Sequence, residues 1–323
     1  MTSIALAGAA ALLAGCTTRN PAPAATVTST AAEPAAMPPL TPPAVAPARA
    51  EAAAPPAAMA TCDGPAFAAA ARANAQSLNT SPWMFSAGTR EKPEGPGWAA
   101  YVPIIAHTLG TACGPATAGF AQALSDWQSQ RGLAANGMMS RDTAAKMKEG
   151  WQARRAHLAR PCVELSRTRT AAIPSEARFD ASDRRLQTDA LAAYQRLLAA
   201  ARREQPALFL TPTIMQAASA WRDPADDRTS CTRNPGPCNG TAKAVGCSAH
   251  WSGWALDLNL GFLPGRDPTD STYANRLHQS RNPAYVWMLE NAGRFGFVNY
   301  YYEPWHWEWQ GNSVAGPSVG NAG

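Results

Sequence analysis

His250, Asp257, Glu303 and His306 are the residues of this 323-residue chain whose types can together hold a metal ion and move a proton. They fall in two clusters. The first runs Ser248-Ala249-His250-Trp251-Ser252-Gly253-Trp254-Ala255-Leu256-Asp257-Leu258. Residues 254–260 alternate, with Leu256, Leu258 and Leu260 on one face and Ala255, Asp257 and Asn259 on the other. That period of two predicts a strand whose apolar face is core and whose other face carries Asp257. Gly253 lets the backbone turn between His250 and this strand, which would bring imidazole and carboxylate together. The second cluster runs Tyr300-Tyr301-Tyr302-Glu303-Pro304-Trp305-His306-Trp307-Glu308-Trp309. It alternates too: Trp305, Trp307 and Trp309 on one face, His306, Glu308 and Gln310 on the other. Pro304 suits the first position of a strand, where its missing N–H is tolerated. Two imidazoles and one carboxylate match a three-ligand zinc site that keeps a position open for water. Zinc lowers the pKa of such a water to about 7. Glu303, three residues before His306, is the carboxylate placed to take its proton.

Ser-x-His-x6-Asp followed about 50 residues later by Glu-x-x-His resembles the LAS metallopeptidases, the VanY-type D-alanyl-D-alanine carboxypeptidases in particular. The letters that carry the likeness are Ser248, His250, Gly253, Ala255, Asp257, Glu303, Pro304, Trp305 and His306. The resemblance implies zinc held by His250, Asp257 and His306, with Glu303 as general base. Ser219-Ala220-Trp221-Arg222 is similar to the family's Ser-Gly-Tyr-Arg segment. It implies that Arg222 faces the metal and steadies negative charge on the substrate, a role a fixed guanidinium suits. Ser248 is expected either to hydrogen-bond substrate or to hold a turn. The implied fold is α+β, a zinc peptidase domain with a small antiparallel sheet flanked by helices. The implied activity is hydrolysis of peptide bonds in peptidoglycan stem peptides: removal of a terminal D-Ala, or endopeptidase cleavage of a cross-link or of the L-Ala–D-Glu bond. A wall-binding lipoprotein without catalysis is the rival from another class. Other chemistries lack their residues. His306-x-Glu308 has no Cys pair at zinc-deaminase spacing, and no His-Glu-x-x-His, Gly-x-Ser-x-Gly or P-loop occurs. His107 and His278 have no partners in sequence and are expected to face solvent.

Upstream lies a helical region, placed at 61–155. Residues 66–78 read as a helix by propensity, 79–100 as loop, and 101–109 as another helix. In 115–130, Phe120, Leu124, Trp127 and Gln128 recur at helical spacing, and Asp142 and Thr143 open a last helix. Trp127-Gln128-x-x-x-Gly132-Leu133-x-x-x-Gly137-x-x-x-x-x-Thr143 resembles the second half of the small three-helix peptidoglycan-binding domain, which implies contact with wall glycan. The peptidase domain is placed at 160–312, with a helix over 183–203 whose stripe is Leu186, Ala190, Leu191, Tyr194, Leu197 and Leu198. Strands are expected at Leu208-Phe209-Leu210 and, next, at Thr213-Ile214-Met215. Residues 313–323 read as a disordered tail.

Residues 2–15 form an apolar stretch too short to span a bilayer, ending in Leu13-Ala14-Gly15-Cys16. That reads as a secretory signal over 1–15, and the tetrad resembles the lipobox of bacterial lipoproteins, which implies lipidation of Cys16. Thr17 stands where an inner-membrane retention signal has Asp, so a Gram-negative host would carry the protein on its outer membrane. Residues 16–60 read as a linker. Of the 41 residues from 20 to 60, 10 are Pro and 17 are Ala. At about 3.1 Å per residue in polyproline II geometry the tract could reach roughly 120 Å. The net charge of +5, with 16% charged residues and no Lys/Arg run, argues against a nucleic-acid partner. The expected partners are peptidoglycan stem peptides and glycan, with membrane contact through the lipid alone, and a monomer is expected. Seven cysteines are present. With Cys16 lipidated, Cys62, Cys113, Cys162, Cys231, Cys238 and Cys247 remain. Six in an oxidising periplasm allow three disulfides and 15 pairings. Cys62 with Cys113 would staple the helical region, and Cys162 would pair with one of Cys231, Cys238 and Cys247 beside Ser248.

Overall fold

Thr117 and Ser140 start two helices by the same device. Each side-chain oxygen accepts from a backbone N–H three residues on, Phe120 for Thr117 and Thr143 for Ser140, satisfying a donor that the first turn leaves orphaned. The protein is described by a computed structural model covering residues 62–81, 95–159, 162–233 and 247–311. Cys16, Cys238, the linker and the expected tail lie outside the described residues.

The first part is all helical: α1 (Ala68–Ser77), α2 (Val102–Leu109), α3 (Ala118–Ser129), α4 (Arg141–Ala153) and the single turn α5 (Ala156–Ala159). Trp98, Ile105, Phe120 and Leu124 are sealed in its interior. Each such side chain contributes about 1.5–3 kcal/mol by leaving water. The Cys62–Cys113 disulfide closes across it as expected. Gln128 explains the motif around it. Its Oε1 accepts from Gly137 N at 2.9 Å, and its Nε2 donates to Met138 O and Thr143 Oγ1, both at 2.9 Å. Asn74 grips the same loop, donating to Gly137 O and accepting from Met139 N. Gly137 has φ of +69°, and a Cβ there would sit 2.4 Å from Ala121 O. The Gln–Gly–Thr spacing is therefore the spacing of a pinned loop between α3 and α4.

The second part is α+β. Strands β1 (Thr170–Ala172) and β2 (Arg185–Gln187) form an antiparallel pair, followed by α6 (Thr188–Glu204), β3 (Ala217–Ser219), α7 (Pro224–Arg233), β4 (Ala255–Leu258), α8 (Tyr273–Ser280), α9 (Pro283–Asn291), β5 (Phe297–Asn299) and β6 (His306–Trp309). The main sheet has the order β3-β4-β6-β5, antiparallel throughout. Both strands expected from alternation are present, and all four residues of β4 are buried, so neither face of β4 meets water.

Three local expectations are corrected. The helix placed at 183–203 begins only at Thr188, because residues 185–187 pair with β1. Gln187 then ends the strand and caps the helix, its Oε1 accepting from Asp189 N and Ala190 N. Leu208-Phe209-Leu210 is not a strand but the end of a 3-10 turn opened by Pro206, with Leu208 N bonded to Gln205 O. Thr213–Met215 is a turn, and the strand starts two residues later at Ala217. No helix among the described residues is long and apolar enough to cross a membrane.

Apolar contacts run without a break from the helical part into the α+β part. Tyr301 packs between Tyr101 and Trp151, at ring distances of 6.1 and 5.5 Å.

Candidate metal centre

Register brings the predicted residues together. In the β4–β6 ladder Asp257 is the direct partner of His306, and on the other side of β4 it pairs with Ser219. Asp257 Oδ1 lies 2.9 Å from His306 Nδ1, and Oδ2 lies 3.4 Å from His250 Nε2. The two imidazole rings meet edge to face, 5.0 Å between centroids. His250 arrives on a 3-10 turn, Ala249–Ser252, which ends at Gly253 with φ of +70°. The expected hinge at Gly253 is therefore present.

Each histidine has its ring orientation set from behind. His250 Nδ1 lies 2.6 Å from Ala220 O. A carbonyl can only accept, so Nδ1 carries the proton and Nε2 turns its lone pair toward Asp257. His306 Nε2 lies 3.2 Å from Glu308 Oε1 and Nδ1 lies 2.9 Å from Asp257 Oδ1; with Nε2–H held by Glu308, Nδ1 is the nitrogen that would face a metal ion. Two imidazole nitrogens and a carboxylate thus converge, with one potential ligand atom from each residue within 4.8 Å of the others. Among the described residues these three form the one such group. Nitrogen and oxygen donors in that number, each imidazole braced through its second nitrogen, fit a zinc ion with its supporting hydrogen bonds.

Burial would raise the Asp257 pKa, but the adjoining His250 and His306 hold it well below the usual carboxylate range. Burial lowers His250, and the nearby Arg222 charge lowers it further. Burial would lower His306 as well, but its hydrogen bonds and charge contacts with Asp257 and Glu308 override that and raise it to about 9.

Glu303 is buried at 5% exposure, its Oε2 3.9 Å from His306 Nδ1. Burial raises its pKa to about 7, against the opposing pull of His306. A turn fixes it: Glu303 N donates to Tyr300 O, and His306 N donates to Glu303 O. Asn299 ties that turn from inside, donating to Glu303 O at 3.1 Å and to His306 O at 2.9 Å.

Arg222 follows β3. Its Nη2 donates to Ser248 Oγ at 3.0 Å, and its Nε lies 3.7 Å from Asp227 Oδ2. Ser248 is buried and also accepts from His250 N, so it holds both the turn and the guanidinium. Cys162 pairs with Cys247, the residue before Ser248. Cys231 lies on α7, and its side chain is not among those described. His278 is exposed as expected. His107 is not. It is half-buried on α2, and burial, aided by Arg154, lowers its pKa to about 4.

Glu308, Asn299 and Arg155 were not singled out as functional from sequence. Glu308 was visible as the neighbour of His306 on one strand face. Asn299 acts through backbone groups, which no residue pattern reveals. Arg155 comes from the helical part, and its contact with Glu308 spans 153 residues.

No protein-family model matches the chain, and no curated protein matches it. Solved structures with some similarity include the LdcB LD-carboxypeptidase, at 22% identity and a TM-score of 0.33 over 46% of this chain and 70% of that one. A mutant of the vancomycin-resistance D,D-pentapeptidase VanY in complex with Zn(II) aligns at 23% identity and a TM-score of 0.27, over 46% of this chain and 87% of that one. VanYB in complex with D-alanine-D-alanine aligns at 24% identity and a TM-score of 0.25, over 46% and 86%.

Proposed function

We propose that this chain is a zinc-dependent peptidase that hydrolyses peptide bonds in peptidoglycan stem peptides. The observation that carries the reading is the convergence of His250 Nε2, His306 Nδ1 and the Asp257 carboxylate. Zinc held by these three residues would supply Lewis acidity and an activated water. Glu303 stands beside that centre, its Oε2 3.9 Å from His306 Nδ1, placed to accept a proton from such a water and return it to a leaving amine. Arg222, braced by Ser248 and Asp227, offers a guanidinium to negative charge on the substrate.

Within this class we assign D-alanyl-D-alanine carboxypeptidase activity first, on the strength of the Ser-x-His-x-x-Gly-x-Ala-x-Asp and Glu-Pro-Trp-His letters. The helical part, carrying the Trp127–Thr143 motif, is proposed to meet the wall glycan. Cys16 is proposed as a lipid anchor that keeps the protein in the periplasm on an outer membrane, with the Ala/Pro-rich linker as its tether. The disulfides Cys62–Cys113 and Cys162–Cys247 support an oxidising compartment.

The test is product mass. Purified protein with zinc is given muropeptides, and the products are weighed. Loss of one alanine from pentapeptide stems is expected, and Glu303→Gln is expected to lower the rate at least about 100-fold with zinc still bound. Cleavage inside the stem or across a cross-link would instead assign an endopeptidase. No cleavage, or cleavage untouched by Glu303→Gln, would overturn the reading.

A further inference from the structure

We propose that Arg155, carried by the helical part of the chain, is a positioning residue for the metal centre: it fixes Glu308, which in turn fixes His306. The inference rests on the metal reading given above.

Arg155 sits in the turn between α4 and α5. It is 8% exposed, and Glu308 is 2% exposed. Its Nε donates to Glu308 Oε1 at 3.0 Å, and its Nη2 reaches the same oxygen at 2.5 Å. Its Nη1 donates to Gln152 Oε1 at 3.0 Å, which ties the guanidinium back to its own helix. The guanidinium carbon lies 4.1 Å from the centre of the Tyr300 ring. Stacking on the ring and three N–H bonds leave the group little freedom. That Glu308 oxygen is also the one facing His306 Nε2 at 3.2 Å. Glu308 Oε2 is buried with no hydrogen-bond partner among the described residues. So one oxygen of a sequestered carboxylate collects all the donors, and the guanidinium decides where that oxygen sits.

The consequence for His306 is geometric. Its Nε2–H needs an acceptor at a defined point if Nδ1 is to aim at the centre. Glu308 supplies the acceptor, and the strand β6 fixes only its backbone. A carboxylate held out of water needs a partnered cation to stay where it is, and Arg155 provides one from a segment that is 153 residues away in sequence. Groups that orient a metal ligand from behind typically govern affinity by 10–100-fold. The α+β part therefore does not build its centre alone. The helical part contributes a side chain to it.

The experiment measures zinc affinity of the full chain by competition with a chromophoric chelator, alongside thermal unfolding. Arg155→Met keeps the bulk of the stem and removes the charge. It is expected to weaken zinc binding about 10–100-fold. Glu308→Gln is expected to do the same. Because the first acts through the second, the double variant should bind no more weakly than Glu308→Gln by itself, a non-additivity that a merely structural role would not give. Arg155→Lys retains the charge without the planar fork and is expected to recover at least half of the logarithmic loss. Zinc affinity of folded Arg155→Met within about threefold of the unaltered chain would overturn the proposal. So would additive losses in the double variant, or no recovery in folded Arg155→Lys. His306→Ala separates the two readings: if it abolishes binding while Arg155→Met does not weaken it, the metal centre stands and this inference falls. If the unaltered chain itself binds no zinc, both fall.

Discussion

Asp257 and His306 are direct cross-strand partners, and Asp257 Oδ1 stands 2.9 Å from His306 Nδ1. The pairing of one carboxylate with one imidazole is thus set by the register of β4 on β6. A slip of one residue would turn one strand's side chains to the opposite face and dissolve the centre.

Zinc held there as proposed would be a folding ligand. Zinc at about 100 times its dissociation constant should add about 2.7 kcal/mol of stability, and a chelator should remove it. For a chain of this size that corresponds to a rise in Tm of roughly 4 °C. Asp257→Asn should abolish the zinc-dependent rise. An undiminished rise in Asp257→Asn, followed by differential scanning calorimetry, would remove Asp257 from the ligand set.

His107 predicts a pH dependence away from the centre. Burial lowers its pKa in the folded chain to about 4, whereas an unfolded histidine titrates near 6.5. Between those values the unfolded state binds more protons, so stability falls as pH drops from about 6.5 to about 4. With allowance for its partial exposure, His107→Gln should flatten the difference in unfolding free energy between pH 7.5 and pH 4.5 by about 1–2 kcal/mol. Urea titrations at the two pH values measure it. Parallel losses in both proteins would show that His107 is not the group responsible.

Gln128 predicts a cost of the same order from a different cause. Gln128→Ala deletes three hydrogen bonds, to Gly137, Met138 and Thr143. At about 1 kcal/mol each the unfolding free energy should drop by about 3 kcal/mol. Zinc affinity of the folded variant should not change, since Gln128 makes none of the contacts described around the metal centre. A loss below about 0.5 kcal/mol would mean that the α3–α4 loop is held by something else.

The centre was legible where chemistry and period coincide. Asp257, His306 and Glu308 lie in runs that alternate every second residue, so their shared side of the sheet could be read directly. The helix starting at Thr188 was legible in its stripe but not at its start. Arg185 and Leu186 fit a helical face, and only pairing with Ala172 and Ala171 makes them a strand. Leu208–Leu210 has strand-forming residues, yet Pro206 and a hydrogen bond from Leu208 N to Gln205 O curl it. His107 was placed in solvent because an isolated histidine carries no local sign of what covers it. Arg155 was illegible for a stronger reason. It is one of many arginines, and its partner is chosen by how the helical part docks on the sheet.

The Cys62–Cys113 bridge has a mechanical meaning. It makes residues 62–113 a covalent loop with α1 and α2 inside it. Tension applied to the chain before residue 62 crosses the sulfur–sulfur bond and re-enters the backbone at Cys113, just ahead of α3. The two helices within the loop are bypassed. A pull from that end would meet α3 first, and the packing of α1 and α2 against it would stay slack until the bond was reduced.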